Sequence, residues 1–122
     1  MPNDYKIGFL GAGKMATALA KGFLDAGLAT KESTIAADPF EQARTSFKEK
    51  TDSRITDSNQ EVARNSDLIF LAVKPNTVEL VLKEIAEDLS TRHLIISIAA
   101  GITLTQIESC LPESIRVMRD RK

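Results

Sequence analysis

Short apolar runs alternating with longer amphipathic ones predict an α/β fold, a doubly wound parallel sheet with strand order 3-2-1-4-5-6. Three observations carry that prediction. Ile7-Gly8-Phe9-Leu10 leads straight into Gly11-x-Gly13-x-x-Ala16 and an Ala/Leu-rich stretch, the strand–turn–helix opening of a βαβ unit built to take a dinucleotide. Leu68-Ile69-Phe70-Leu71-Ala72-Val73 is apolar throughout, as a central parallel strand covered on both faces must be. Strand-like and helix-like segments keep alternating along the chain, and right-handed crossovers then dictate the order.

The first helix is expected over Met15 to Ala26, with Gly22 tolerated inside it and Gly27 as its stop. Thr34-Ile35-Ala36-Ala37 reads as the second strand, ending at Asp38-Pro39. Phe40 to Lys50 reads as a polar helix in which Phe40, Ala43 and Phe47 recur at three- and four-residue spacing. A short third strand is expected at Arg54-Ile55-Thr56, followed by a helix from Asn59 to Asn65. The fourth strand, Leu68 to Val73, is broken by Lys74-Pro75. Thr77 to Leu89 follows as a helix with Val78, Val81, Leu82, Ile85 and Leu89 on one side. Leu94 to Ile98 is a fifth strand, Thr103 to Leu111 a short helix ended by Pro112, and Ile115 to Met118 a last strand.

Each small residue of the glycine turn has its own reason. Gly11 permits the sharp exit from the strand, Gly13 keeps a Cβ away from an approaching pyrophosphate, and Ala16 lets the helix lie close on the sheet. The helix N-terminus offers unpaired N–H groups and partial positive charge. Gly8, Gly13 and Lys14 also approximate the phosphate loop of nucleotide triphosphatases. That loop needs a hydroxyl for Mg²⁺ where this chain has Met15.

With 122 residues the chain accommodates one domain, and it shows no repeat, low-complexity stretch or linker. A formal net charge of -1 and the absence of Trp provide no footprint for nucleic acid. Arg116, Arg119, Arg121 and Lys122 read as a solvated basic tail. The single cysteine, Cys110, cannot form an internal disulfide and lies at helical spacing with Leu104, Ile107 and Leu111, which assigns it to the core. No apolar run reaches about 18 residues and no signal peptide opens the chain, so a soluble cytoplasmic protein is expected.

In a doubly wound sheet the ligand sits at the carboxyl ends of the strands, near the point where strand order reverses. The candidates there are Gly11 to Met15, Asp38, Ala72 to Pro75 and Ile98 to Gly101. Asp38 lies 25 positions after Gly13, where a carboxylate can accept from ribose hydroxyls and repel a 2′-phosphate. A turn residue before Pro39 is the plainer reading. Arg44, one helical turn on, could instead reach a 2′-phosphate, so both NADH and NADPH stay open. Lys74 either meets the cofactor or points to solvent. His93, the only histidine, is expected on the surface at the far end of the sheet. No metal-ligand spacing and no catalytic group can be assigned.

Gly8-Phe9-Leu10-Gly11-Ala12-Gly13-Lys14-Met15-Ala16, Ala72-Val73-Lys74-Pro75 and Ile96-Ser97-Ile98-Ala99-Ala100-Gly101-Ile102-Thr103 together resemble the N-terminal half of pyrroline-5-carboxylate reductases. The likeness runs from Lys6 to Met118 and implies a Rossmann-type NAD(P)-binding domain over residues 1–118, with 119–122 as the tail. It implies NADPH- or NADH-dependent reduction of the C=N bond of 1-pyrroline-5-carboxylate to L-proline. Cofactor contacts are implied for Leu10, Gly11, Ala12, Gly13, Lys14, Met15, Asp38, Asn59, Ala72, Val73, Lys74, Pro75, Ile98, Ala99 and Ala100, with Asn59 resting on the resemblance alone. The chain departs from the family in two places. Arg119-Asp120-Arg121-Lys122 stands where Pro-Asn-Thr-Pro is usual, and the family's helical domain for substrate binding and dimerisation is not present. The chain alone is therefore expected to bind cofactor weakly, to be inactive, and to oligomerise only with that domain. A related imine or hydroxyacid reductase and a non-catalytic dinucleotide sensor are the open alternatives.

Overall fold

The computed structural model describes residues 5–98, 103–111 and 115–119. Six strands form one parallel sheet: β1 (Ile7–Leu10), β2 (Thr34–Ala37), β3 (Arg54–Thr56), β4 (Leu68–Leu71), β5 (Leu94–Ser97) and β6 (Arg116–Arg119). Their order is β3-β2-β1-β4-β5-β6, the predicted one. Five helices connect them: α1 (Lys14–Asp25), α2 (Glu41–Thr51), α3 (Asn59–Arg64), α4 (Val78–Ile85) and α5 (Leu104–Glu108).

Side chains alternate across the sheet, so β1 feeds two cores. Ile7 and Phe9 face α1 and α2, packing with Ala16, Ala20, Phe47 and Phe70. Phe9 stacks on Phe70 with ring centroids 5.2 Å apart and meets Phe47 at 5.9 Å. Leu10 faces the other way, into a cluster of Val62, Leu71, Leu82, Ile85, Ile95 and Ile107. Gly8 shares that second face. A Cβ there would fall on the side chains of Ser66 and Val62, so the missing side chain is what lets α3 lie against β1.

The differences from expectation have local causes. The fourth strand ends at Leu71, short of Val73, because its register partner Leu10 is the last residue of β1 and Gly11 turns away. The expected helix over Thr77 to Leu89 is α4 flanked by 3-10 turns at Pro75–Thr77 and Ala86–Asp88, the usual tightening at helix ends. The last strand begins and ends one residue later than predicted, and it corrects the tail reading: Arg116 and Arg119 belong to β6, paired in register with Leu94 and Ser97. Pro112 lies outside the described residues. Cys110 is half-buried against the second core, beside Leu111.

His93 corrects the sequence reading: it is buried, at 1% exposure, not on the surface. Its Nδ1 accepts the Ser90 N–H at 2.9 Å, which leaves Nε2–H to donate to the Ala63 carbonyl at 2.8 Å. The last carbonyls of a helix have no partner within it, and His93 meets one of those of α3. Arg92 next to it meets others, donating to the Arg64 carbonyl and, beyond the helix, to the Ser66 carbonyl and the Asp67 carboxylate. Periodicity carries no sign of this, because the partner lies 30 residues upstream.

Candidate functional site

With every strand parallel, the carboxyl ends of β1, β2 and β4 share one edge, and the loops that leave them interlock. Gly11 has φ +102°, and a Cβ on it would stand 2.9 Å from the carbonyl carbon and oxygen of Ala72. Only glycine meets both demands. Ala72 donates its N–H to the Leu10 carbonyl at 2.8 Å, Gly11 donates to the Ala37 carbonyl at 2.7 Å, and Ile98 donates to the Leu71 carbonyl at 3.0 Å. Leu10, Gly11, Asp38, Ala72 and Ile98 are thereby brought to one edge as the sequence predicts.

Gly13 is the N-cap of α1 and, lacking a side chain, leaves the first amides of the helix without a side-chain cap. A Cβ on Gly13 would meet nothing within 4 Å, so the turn faces open space. Lys14 and Met15 follow it, both exposed, while Ala16 and Thr17 are buried. Thr17 Oγ1 donates to the Gly13 carbonyl at 2.8 Å, holding the first turn of α1 in place. Uncapped amides at the mouth of a 12-residue helix, with open space before them, form a cradle for an anion.

Asp38 ties β2 to this turn. Its Oδ2 accepts the Ala12 N–H at 2.9 Å and its Oδ1 accepts the Phe40 N–H at 2.9 Å. Arg44 donates from Nη1 to the Asp38 main-chain carbonyl at 2.7 Å. Between the glycine turn and α2 lies a cavity of about 480 Å³, walled by Ala12, Gly13, Lys14 and Thr17 on one side and by Phe40, Gln42, Ser46 and Lys50 on the other. Phe40 is 71% exposed there. The sequence reading counted Phe40 among the apolar positions of its helix. Its place directly after a strand-end Asp-Pro was the signal that it borders the site.

Val73, Lys74 and Pro75 continue from Ala72 along the same edge, with Lys74 and Pro75 exposed. Lys74 is fixed by its carbonyl, which accepts from both the N–H and the hydroxyl of Thr77. Asn59 is tied to α4, its amide donating to Glu84 Oε1 at 2.7 Å. Ala99 and Ala100 lie outside the described residues. Among the described residues no group of three His, Cys, Asp or Glu side chains could hold a metal ion, and no helix is long and apolar enough to cross a membrane.

Known proteins share this fold. The chain is 41% identical over 116 residues to a pyrroline-5-carboxylate reductase of Methanosarcina acetivorans, an alignment that covers 95% of the chain and 43% of that protein. Among solved structures, a pyrroline-5-carboxylate reductase from Coxiella burnetii superposes with a TM-score of 0.88 at 31% identity, over 94% of this chain and 43% of that one. The Plasmodium falciparum pyrroline carboxylate reductase with NADP bound superposes at 0.84 with 30% identity, over 98% of this chain and 42% of that one. The chain thus spans well under half the length of the relatives it matches. Residues 6–101 match the family described as NADP oxidoreductase, coenzyme F420-dependent, and the chain belongs to that family.

Proposed function

We propose that this chain is the dinucleotide-binding part of a pyrroline-5-carboxylate reductase, acting with NADPH or NADH on 1-pyrroline-5-carboxylate to yield L-proline in the cytoplasm. The observation that carries the reading is the Gly13 N-cap: an uncapped helix terminus at the point where strand order reverses, facing open space. The residues fit the group. Leu10 to Met15 would cradle the pyrophosphate, Asp38 would meet the adenosine ribose, and Ala72 to Pro75 with Ile98, Ala99 and Ala100 would flank the nicotinamide. Asn59 would have to leave Glu84 to join them. When bound, the dinucleotide supplies a hydride for the C=N bond. The chain's own residues bind and orient it, and small side chains at the edge let a flat ring approach the main chain.

The substrate is a small imino acid, and homo-oligomerisation would come from parts of the relatives that this chain does not span. Titrating the chain with NADPH and with NADH while following amide NMR shifts tests the binding step. The resonances of Gly11 to Ala16 should move with either dinucleotide, and no movement at millimolar ligand overturns the reading. For the reaction, a chimera joining this chain to the remainder of the Methanosarcina acetivorans relative should form proline, and Gly13→Ala should depress that rate.

A further inference from the structure

A second cavity lies at the opposite edge of the sheet, where the strands begin. It has a volume of about 420 Å³ and is walled by Lys6, Lys31, Glu32, Asp52, Arg54 and Asn65. Lys6 directly precedes β1, Lys31 and Glu32 lie in the turn that enters β2, and Asp52 and Arg54 stand at the entry to β3. Asn65 closes the end of α3. The dinucleotide reading uses none of them.

Charge pairing inside this cavity is incomplete. Lys31 and Asp52 neutralise each other at 3.0 Å. The side chains of Lys6, Arg54 and Glu32 have no hydrogen-bond or ion-pair partner among the described residues. Basic groups near helix ends often do no more than meet free carbonyls, as Arg92 does on the Arg64 carbonyl of α3. Lys6 and Arg54 meet none.

Two cations and one carboxylate are thus left unanswered around a single cavity, and β2 alone separates the strands that bring in the cations. The complement of that set is a ligand with two carboxylates and one ammonium. A dicarboxylate without the ammonium meets Glu32 with like charge, and a simple zwitterion leaves one cation unanswered. A dibasic amino acid brings a second ammonium against Lys6 and Arg54. We propose that this cavity is a binding site for an acidic α-amino acid, with its carboxylates on Lys6 and Arg54 and its ammonium on Glu32. Arg54 supplies a planar fork that takes a carboxylate through two hydrogen bonds, and Lys6 supplies a compact charge on a flexible stem. All three groups are exposed. Water screens each contact, which sets the dissociation constant on the order of 1 mM.

Amide NMR shifts of the 122-residue chain are followed while sodium L-glutamate, sodium succinate, L-lysine hydrochloride or glycine is added at matched ionic strength. L-Glutamate should move Lys6, Glu32, Arg54 and Asn65 along one binding curve. Succinate should bind several-fold more weakly, and L-lysine and glycine should move these amides little. The resonances of Gly11 to Ala16, at the other edge, should stay still, so the result is independent of whether a dinucleotide binds there. Arg54→Gln should weaken L-glutamate about three- to fivefold, the scale of one exposed ion pair. Glu32→Gln should weaken L-glutamate by a similar factor and tighten succinate, a reversal of sign that neither general screening nor a damaged fold produces. The native chain alone already tests the order of the four additives, should a variant fail to fold. No movement at about 50 mM L-glutamate, equal movement with all four additives, shifts confined to Gly11 to Ala16, or a Glu32→Gln effect of one sign on both ligands would each overturn the proposal.

Discussion

Gly11 and Ala72 touch main chain to main chain, with 2.9 Å separating the Ala72 carbonyl from where a Gly11 side chain would begin. Gly13, two residues on, has an ordinary φ of −77° and nothing within 4 Å of its would-be Cβ. Two glycines of one motif are therefore kept for different reasons. Gly11→Ala should destabilise the fold by about 2 kcal/mol or more, through positive-φ strain and backbone collision. Gly13→Ala should cost less than about 1 kcal/mol of stability, yet weaken dinucleotide binding roughly tenfold or more. Urea unfolding of both variants, paired with NADH titration of Gly13→Ala, checks the contrast. Equal destabilisation by the two would refute it.

Removing the imidazole of His93 should unsettle α3. His93→Ala leaves the Ser90 N–H and the Ala63 carbonyl without their partner and opens a cavity, at an expected cost of about 2–4 kcal/mol. Amide exchange should rise at the C-terminal turn of α3 in this variant. An unchanged unfolding midpoint would show that both groups find other partners.

Gly8→Ala should be destabilising by about 1–3 kcal/mol, the usual range for overpacking a filled core. Its Cβ would fall on Ser66 and Val62, both rooted in or just after α3, so the helix must shift. Ser66 Oγ is already buried with no hydrogen-bond partner among the described residues. Ser66→Ala should therefore be neutral or mildly stabilising in denaturant midpoint, since it deletes an unsatisfied hydroxyl.

Away from the site, Lys31 Nζ and Asp52 Oδ2 pair at 3.0 Å on the surface. The hydrogen bond and charge of Lys31 hold the Asp52 carboxyl below its usual range, and Asp52 raises the Lys31 ammonium above its own. The aspartate's contribution is thus present above the ordinary carboxylate range and lost as pH falls through its lowered value. The lysine's contribution is present below the ordinary lysine range and lost as pH rises through its raised value. Asp52 also sits at φ 57° as the C-cap of α2, a conformation asparagine tolerates. Asp52→Asn should then lower stability slightly at neutral pH, not at all in acid, and less in high salt. A loss of equal size at acid and neutral pH would place the effect in the backbone instead.

Most of the architecture was legible because the signals are local. Leu68 to Leu71 had to be a doubly covered strand, and the small residues from Gly11 to Ala16 had to be a close-packed turn. What escaped the sequence depends on distant partners. The inward turn of His93 answers an unpaired carbonyl 30 residues upstream, and the end of β4 is set by β1 turning at Gly11. Asp38 was legible as a strand-end acid in the right place. That its carboxylate grips the glycine turn was not, since hydrogen-bond partners 26 residues apart leave no periodic trace.

The placement of β1 between β2 and β4 also bears on how the chain acquires its shape. Ile7 pairs with Thr34 and with Leu68, separations of 27 and 61 positions (34 − 7 and 68 − 7). Loops of that length must close before the central strand gains its second neighbour, which slows barrier crossing relative to helical bundles of similar size. A nascent polypeptide emerging from the ribosome would hold Leu10 unsheltered until β4 arrives. Folding intermediates of this protein should accordingly be sticky on the α3 and α4 side of the sheet.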